Sequence, residues 1–563
     1  MAGGASKRKA GPVAARAGRA SLVLGYAEAK HRKSANRRGR WRDVADDLNT
    51  ELWPQVSPSF RLRQGETIFT IGSCFARNIE ANLAALGCKV PMLDLRLASE
   101  EFDGSPNSAL NRFHPPAFRQ CLEWAAGIYD RDGKVAWADC EALAFEVGQD
   151  RWFDVDLAPS ALAVPKLRFI ERRQHVYDIL SSAFRADCLM MTPGMIEAWC
   201  DLETGLYTYG PPYDRAMLRT PNRWAMEVLS YQQCLDDMLA AIDVVRARNP
   251  RARVLITTSP VPLGTTFTGR DVTIANAHSK AVLRAVCDAA VLEREGVDYF
   301  PSYEMATLSN PELVWKADKI HVSQSFIGKI VGHMLDHYME GVDAASVDYQ
   351  RARVLLACDD PAGAEAAARQ ALDSKPDYLD AKLILGKALI QQDRWIEAQQ
   401  TLKEAAIAAP ARCDLRVQLA RALAGRGKID RAVVTLEAAM AHESFSVFDM
   451  LAADSVLHRT SHDEAVRLAT RAVELFPLHQ EVHARLSEAL LRGGRKPEAI
   501  AALRRLATLS HPPAERLLEL ARLLLETGEA EEAAVHVRAA LVEDPKSQDA
   551  LKLRAELQPP AVA

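Results

Sequence analysis

Alanine returns every 34 residues in the second half of this chain. Ala364, Ala398 and Ala432 share one ladder, and Ala465, Ala499 and Ala533 continue it after a one-residue slip. Ala371, Ala405, Ala439, Ala472 and Ala540 form a second ladder of the same period. Pro376, Pro410, Pro477 and Pro545 end repeats at the matching place, and Gly386 fills a close-packing position. A fixed period of this length marks helical units that cannot bury their apolar faces alone and therefore stack on their neighbours. Residues 346–557 are expected to form an all-α solenoid whose small residues let paired helices approach closely. The unit around Phe445–His458 lacks the closing proline, so a bend or an altered repeat is expected there.

Residues 46–345 read differently. Thr67-Ile68-Phe69-Thr70-Ile71 has the β-branched and aromatic content of a buried strand. Ile79, Leu83 and Leu86 then recur at helical spacing, and Gly87 is a C-terminal stop. Between them lie Gly72-Ser73-Cys74-Phe75-Ala76. Such a small-residue turn exposes a serine beside a helix N-terminus, where amide N–H groups and the positive dipole end meet the hydroxyl. The plainer reading is an ordinary turn with Ser73 as N-cap. Cys188–Met191 and Val254–Thr258 are further apolar runs, each followed by Pro and Gly punctuation. Tyr299-Phe300 ends another, and helices are expected from Met226 to Val245 and from Ala277 to Leu292. Together these give an α/β three-layer sandwich around a parallel sheet. Ser73, Gly194, Ser259 and Ser302 would line the carboxyl edge, where open α/β sheets bind ligands.

Asp318 precedes His321 by three residues, in the loop before a helix stripe of Phe326, Ile327, Ile330, Val331, Met334 and Leu335. A serine hydroxyl needs a neighbouring base to become a nucleophile. Histidine suits that task, with a carboxylate fixing its tautomer. Cys74 is the other thinkable nucleophile, although buried thiols more often pack as small hydrophobes. His114 and His278 could each touch substrate, although histidines in such loops are more often satisfied or on the surface. No Cys/His cluster has zinc spacing, and no phosphate-binding glycine motif occurs, so neither a metal nor a cofactor is expected.

From Phe60 to Tyr338 the chain resembles the GSCFA family, which belongs with the SGNH (GDSL-like) hydrolases. Gly72–Ala76 spells its signature. Thr192–Trp199 and Ser259–Leu263 look like two further segments, His278-Ser279-Lys280 and Tyr299–Glu304 are in its style, and Asp318 and His321 match the last SGNH block. The resemblance implies a serine esterase or acyltransferase acting on an acylated carbohydrate or other ester, with Ser73, Asp318 and His321 as catalytic residues. It implies an oxyanion site at Gly194. The asparagine usual after that glycine is replaced by Glu197 here, which leaves Asn111 as the candidate amide donor beside the backbone N–H groups of Ser73 and Gly194. Asn111 reads equally well as a turn residue, and Glu197 as the partner of a local arginine. Val347–Leu557 resembles tetratricopeptide repeats, which implies a protein or peptide partner in the groove of the array. The other class of reading is a scaffold protein with a lapsed hydrolase domain.

Composition bounds the setting. Net charge is −4 over 563 residues, which gives no drive toward nucleic acid. Ten scattered cysteines suggest a reducing, cytoplasmic environment, and no apolar run is long enough for a transmembrane segment. Residues 1–45 form a basic arm, from Lys7-Arg8-Lys9 to Arg42, expected to be partly disordered. A solvated tail, a lipid or polyanion contact and a transit peptide all fit it.

Overall fold

The computed structural model describes residues 24–98, 101–102, 106–148, 150–509, 512–543 and 547–557. The first half of the basic arm lies outside the described residues. Tyr26–Ala35 is a helix that buries none of its side chains.

Four parallel strands form the central sheet, in the order Val297–Tyr299, Arg253–Ile256, Cys188–Thr192, Ile68–Gly72. Every residue of Ile68–Gly72 and Cys188–Thr192 is buried, as a sheet covered on both faces requires. A parallel bridge from Thr67 to Lys89 lies on the far side of Ile68–Gly72. The chain therefore leaves this strand in two directions. The helix Cys74–Ala85 leads outward to Lys89, while the helices Tyr231–Arg246 and Val272–Glu293 connect strands that step the other way. Right-handed crossovers put those two sets on opposite faces. The sheet thus has a switch point between Ile68–Gly72 and Cys188–Thr192, where Ser73 and Gly194 emerge. The helix Gln324–Tyr338 packs beside Cys74–Ala85. Leu62–Arg63 pairs in parallel with Met339–Glu340 and ties the two ends of the domain together.

Two antiparallel sheets are inserted beside this core. Arg151–Asp154 pairs with Ala144–Gly148 and Val164–Pro165, and Glu197–Asp201 pairs with Leu206–Tyr207 and Trp224–Val228. Phe145, Phe153, Met217 and Trp224 build their shared small core. Met226 is therefore a strand residue, and the helix expected to start there begins at Tyr231. The apolar spacing that suggests an earlier start comes from a half-buried strand followed at once by a Ser230 cap. A buried ion network holds the insertion. Arg173 reaches Asp154 at 2.7 Å and Asp156 at 2.9 Å, and Arg112 reaches Asp156 at 2.7 Å.

From Ala344 onward the chain is helical, in pairs that stack on their neighbours. Ala364, Ala398, Ala432, Ala465, Ala499 and Ala533 are all completely buried. A Cβ on Gly386 would lie 2.5 Å from Leu402, so the ladder is a set of close approaches. The altered unit is broken into Val447–Ala452 and Asp454–Leu457. The first helix of the array, Ala344–Ala357, also packs on Gln324–Tyr338 and on Cys74–Ala85. Gln350 Nε2 donates to Asn82 Oδ1 at 2.9 Å, and the Tyr378 hydroxyl donates to Ala85 O at 3.1 Å. The array thus attaches at the end of Cys74–Ala85 remote from Ser73.

Candidate active site

Ser73 caps the helix Cys74–Ala85 and is 3% exposed. The turn is tight because Gly72 touches the neighbouring strand. A Cβ there would lie 2.6 Å from Thr192 Cβ and from Thr192 O. Ser73 Oγ accepts from Phe75 N at 3.4 Å and donates to Ser259 Oγ at 2.9 Å. Gly194 sits against both serines. A Cβ on it would lie 3.4 Å from Ser73 Cβ and 3.6 Å from Ser259 Cβ. Ser73, Gly194 and Ser259 therefore converge at one point on the carboxyl edge of the sheet. Ser302 lies deeper, fully buried against the Thr257 hydroxyl.

Lys280 underlies this convergence. Its side chain is buried, and Nζ donates to Gly194 O and to Val261 O, both at 2.6 Å. One amine thus braces the loop after Cys188–Thr192 against the loop after Arg253–Ile256. Burial pushes its pKa down to about 7. The neighbouring Ser279 accepts from Ile196 N at 3.0 Å. The sequence singles out His278-Ser279-Lys280 without giving Lys280 a role. The helical pattern it interrupts is the available signal, because a lysine on a buried helix face needs acceptors.

The remaining donors are arranged as follows. Ser73 N–H donates to Thr192 O at 3.2 Å, and Gly194 N–H donates to Phe113 O at 2.7 Å. Both amides expected to face an oxyanion are thus engaged with backbone carbonyls. Asn111 lies alongside, since the next residue's N–H donates to Gly72 O at 2.8 Å. Asn111 Nδ2 reaches the Tyr209 hydroxyl at 3.4 Å, and its buried Oδ1 has no hydrogen-bond partner among the described residues. Glu197 meets no arginine among the described residues. It accepts from the Thr266 hydroxyl at 2.5 Å and from Phe267 N at 3.0 Å, and so ties down the loop that follows Ser259-Pro260.

Asp318 and His321 form a pair in the loop before Gln324–Tyr338. Asp318 Oδ2 meets His321 Nδ1 at 2.7 Å, and Oδ1 accepts from the backbone N–H groups of Ile320 and His321. These N–H groups and the imidazole hold the Asp318 carboxyl well below the usual carboxylate range. Both side chains are about half exposed. Gln324 Nε2 donates to Asn78 Oδ1 at 3.1 Å, which pins the helix start that follows this loop to the second turn of the Ser73 helix. No hydrogen bond joins His321 to Ser73 among the described residues.

Cys74 is partly buried, and desolvation pushes its thiol up, the wrong direction for a thiolate nucleophile. His114 caps the helix Pro115–Tyr129, with Nδ1 accepting from Ala117 N at 3.3 Å. No group of three or more His, Cys, Asp or Glu able to hold a metal occurs among the described residues. No helix among them is long and apolar enough to cross a membrane.

Residues 67–334, which contain all of these groups, match the model of the GSCFA family. They form a GSCFA family domain. Residues 355–412, 415–438 and 450–512 match tetratricopeptide-repeat models, so the chain joins a GSCFA domain to a repeat array. No curated protein matches the chain. Solved structures similar to it include pilF of Pseudomonas aeruginosa, 16% identical, covering 38% of this chain and 97% of that one with a TM-score of 0.29. A thermophilic tetratricopeptide-repeat protein of Thermus thermophilus is 18% identical, over 38% of this chain and 98% of that one, TM-score 0.22. YrrB, a repeat protein with an unusual peptide-binding site, is 17% identical, over 38% and 92%, TM-score 0.24.

Proposed function

We propose that the GSCFA domain is a serine esterase or acyltransferase acting on an ester, with an acylated carbohydrate as the substrate class its SGNH resemblance suggests. The observation that carries this reading is the placement of Ser73 at a helix N-terminus and sheet switch point, packed against Gly194 and Ser259. Ser73 Oγ would attack the ester carbonyl carbon and pass its proton to His321 Nε2. Asp318 holds the other ring nitrogen and would stabilise the imidazolium. The imidazolium then protonates the departing alkoxide, and water or a sugar hydroxyl takes the acyl group from Ser73. Asn111 Nδ2 is the side-chain donor for the oxyanion. Ser73 N–H and Gly194 N–H would join it only by leaving Thr192 O and Phe113 O. Ser73 must likewise exchange Ser259 for His321.

That last requirement favours a second reading, a binding protein whose hydrolase domain has lapsed. A fluorophosphonate probe separates the two. On the catalytic reading the wild-type protein is labelled at Ser73, Ser73→Ala abolishes labelling, and His321→Ala slows it by about a hundredfold or more. Labelling that is absent, or indifferent to His321, rules the catalytic reading out. A screen of acylated glycans with the same variants then finds the substrate. The repeat array is the protein-binding part, and a reducing cytoplasmic setting suits ten unpaired thiols.

A further inference from the structure

We infer that a cleft at the amino edge of the central sheet of the GSCFA domain binds an oligophosphate group. The site lies at the sheet edge opposite Ser73 and stands whether or not Ser73 is catalytic. The cleft encloses about 920 Å³ and is lined by Arg61, Arg63, Arg185, Arg248, Arg251 and Arg253, against the carboxylates of Glu66, Asp187 and Glu340. Each of three loops that enter the sheet brings one exposed arginine to it. Arg61 lies ahead of Ile68–Gly72, Arg185 ahead of Cys188–Thr192 and Arg251 ahead of Arg253–Ile256. None of these three forms an ion pair or a side-chain hydrogen bond among the described residues. Arg185 lies over the Tyr129 ring, 5.8 Å from its centroid.

The other charges of the cleft are already engaged. Glu66 meets Arg253 at 2.8 Å, Glu340 meets Arg63 at 2.6 Å, and Arg248 meets Asp130 at 2.8 Å. Asp187 is the one lining acid without an arginine of its own, and its Oδ2 accepts from Thr67 N at 2.8 Å. Positive charge is therefore in surplus, and it sits on Arg61, Arg185 and Arg251. The loops that carry them are clamped together. Arg253 Nε donates to Asp187 O at 3.2 Å, its Nη1 donates to Arg61 O, and Asn249 Nδ2 donates to Ala186 O at 2.8 Å. A fixed frame thus presents three free guanidinium forks to one cleft. Such forks form strong charge-assisted bonds with phosphate and carboxylate oxygens. A carboxylate offers two oxygens in one plane, which a single fork can occupy. A phosphate offers three oxygens in a tetrahedral fan and up to two negative charges, so forks arriving from separate loops can share it. The volume is that of a small-molecule site rather than of one ion, and linked phosphates fit a charge surplus spread over three loops.

The test is isothermal titration calorimetry of the full chain, at constant ionic strength, with phosphate, pyrophosphate, tripolyphosphate and citrate. Pyrophosphate and tripolyphosphate should bind one per chain, about tenfold or more tighter than phosphate or citrate, and weaken as salt rises. Arg185→Gln and Arg251→Gln should each weaken tripolyphosphate about tenfold. Both side chains are exposed and hold no partner, so these variants should melt with the wild-type protein. Arg270→Gln, in an exposed loop elsewhere on the domain, and Ser73→Ala should bind as the wild type does. Two sources of the phosphates are then separated by flotation with phosphatidylcholine vesicles that carry a phosphatidylinositol bisphosphate. Flotation that the Arg185→Gln, Arg251→Gln double variant loses assigns them to a lipid headgroup, and tripolyphosphate binding without flotation to a free oligophosphate. Citrate binding as tightly as tripolyphosphate, or affinity that the double variant keeps, would overturn the inference, the latter by moving the anion to another surface such as the basic arm. Loss of binding in Ser73→Ala would move it to the Ser73 edge and overturn the inference as well. Equal flotation on phosphatidylserine vesicles counts against it too, because surface charge alone then suffices.

Discussion

His114 shows how one buried ring sets a response to acid. It is 3% exposed, and burial, helped by the Arg112 charge, pushes its pKa down to about 3. In the unfolded chain a histidine titrates near about 6.5. The unfolded state therefore binds the extra proton first, and the stability His114 allows at neutral pH is lost as pH falls from there toward the folded value. Between pH 7.5 and 5 this difference is about 2 kcal/mol for the GSCFA domain. His114→Asn keeps a cap for Ala117 N and removes the titration, so the urea midpoints of variant and wild type should converge at pH 5 relative to pH 7.5. If their separation does not change with pH, the neutral buried ring is not responsible. Residues of this kind are poorly legible in sequence. His114 before two prolines looks like a loop histidine, and Lys280 looks like one lysine among many, because their roles depend on carbonyls brought from distant loops. Glu197 reads as an arginine partner for the same reason. Its true partners, Thr266 and Phe267, lie about seventy residues on.

Elements are far more legible than contacts. The strand at Ile68–Gly72, the helix that follows it and the period of the array are local patterns, and each forms where hydrophobic spacing puts it. The inserted antiparallel sheets escape such reading. Their strands are two to five residues long and alternate burial only partly, and their anchors are ion pairs between residues distant in sequence, Arg112 and Arg173 with Asp156 in one sheet and Arg223 with Asp201 in the other. The docking of Ala344–Ala357 is equally invisible, since it depends on Gly328. A Cβ there would lie 2.5 Å from Val354 Cγ2. Gly328→Ala should lower stability by about 1–3 kcal/mol through overpacking. Val354→Ala removes the clashing methyls, so in the Gly328→Ala background it should restore part of the loss. A double-mutant cycle by thermal unfolding measures this, and simple additivity would disprove the contact's role.

The junction also decides where the chain can be divided. Asn82, Ala81 and Ala85 of the Ser73 helix bind Gln350, Arg353 and Tyr378, so the array meets the GSCFA domain away from the sheet edge that carries Ser73. A fragment ending after Ala357 keeps the helix that covers Gln324–Tyr338. It should fold and retain probe labelling of Ser73 close to the full chain. A fragment ending at Ala345 exposes that packed face and should be less stable by thermal unfolding. If the longer fragment is folded yet loses labelling, the repeats complete the active site and the modular reading is wrong.

The pairing of Leu62–Arg63 with Met339–Glu340 has a consequence in time. Arg63 and Glu340 are 277 residues apart, and such distant pairings slow folding far more than neighbouring helix contacts do. As the polypeptide leaves the ribosome, Leu62–Arg63 must wait unpaired until the segment around Glu340 emerges. Each repeat behind it needs only the preceding thirty or so residues. The part of the molecule made first thus waits longest between synthesis and closure, and the nascent GSCFA domain passes through the longest interval in which chaperones or neighbouring chains can reach its buried strands.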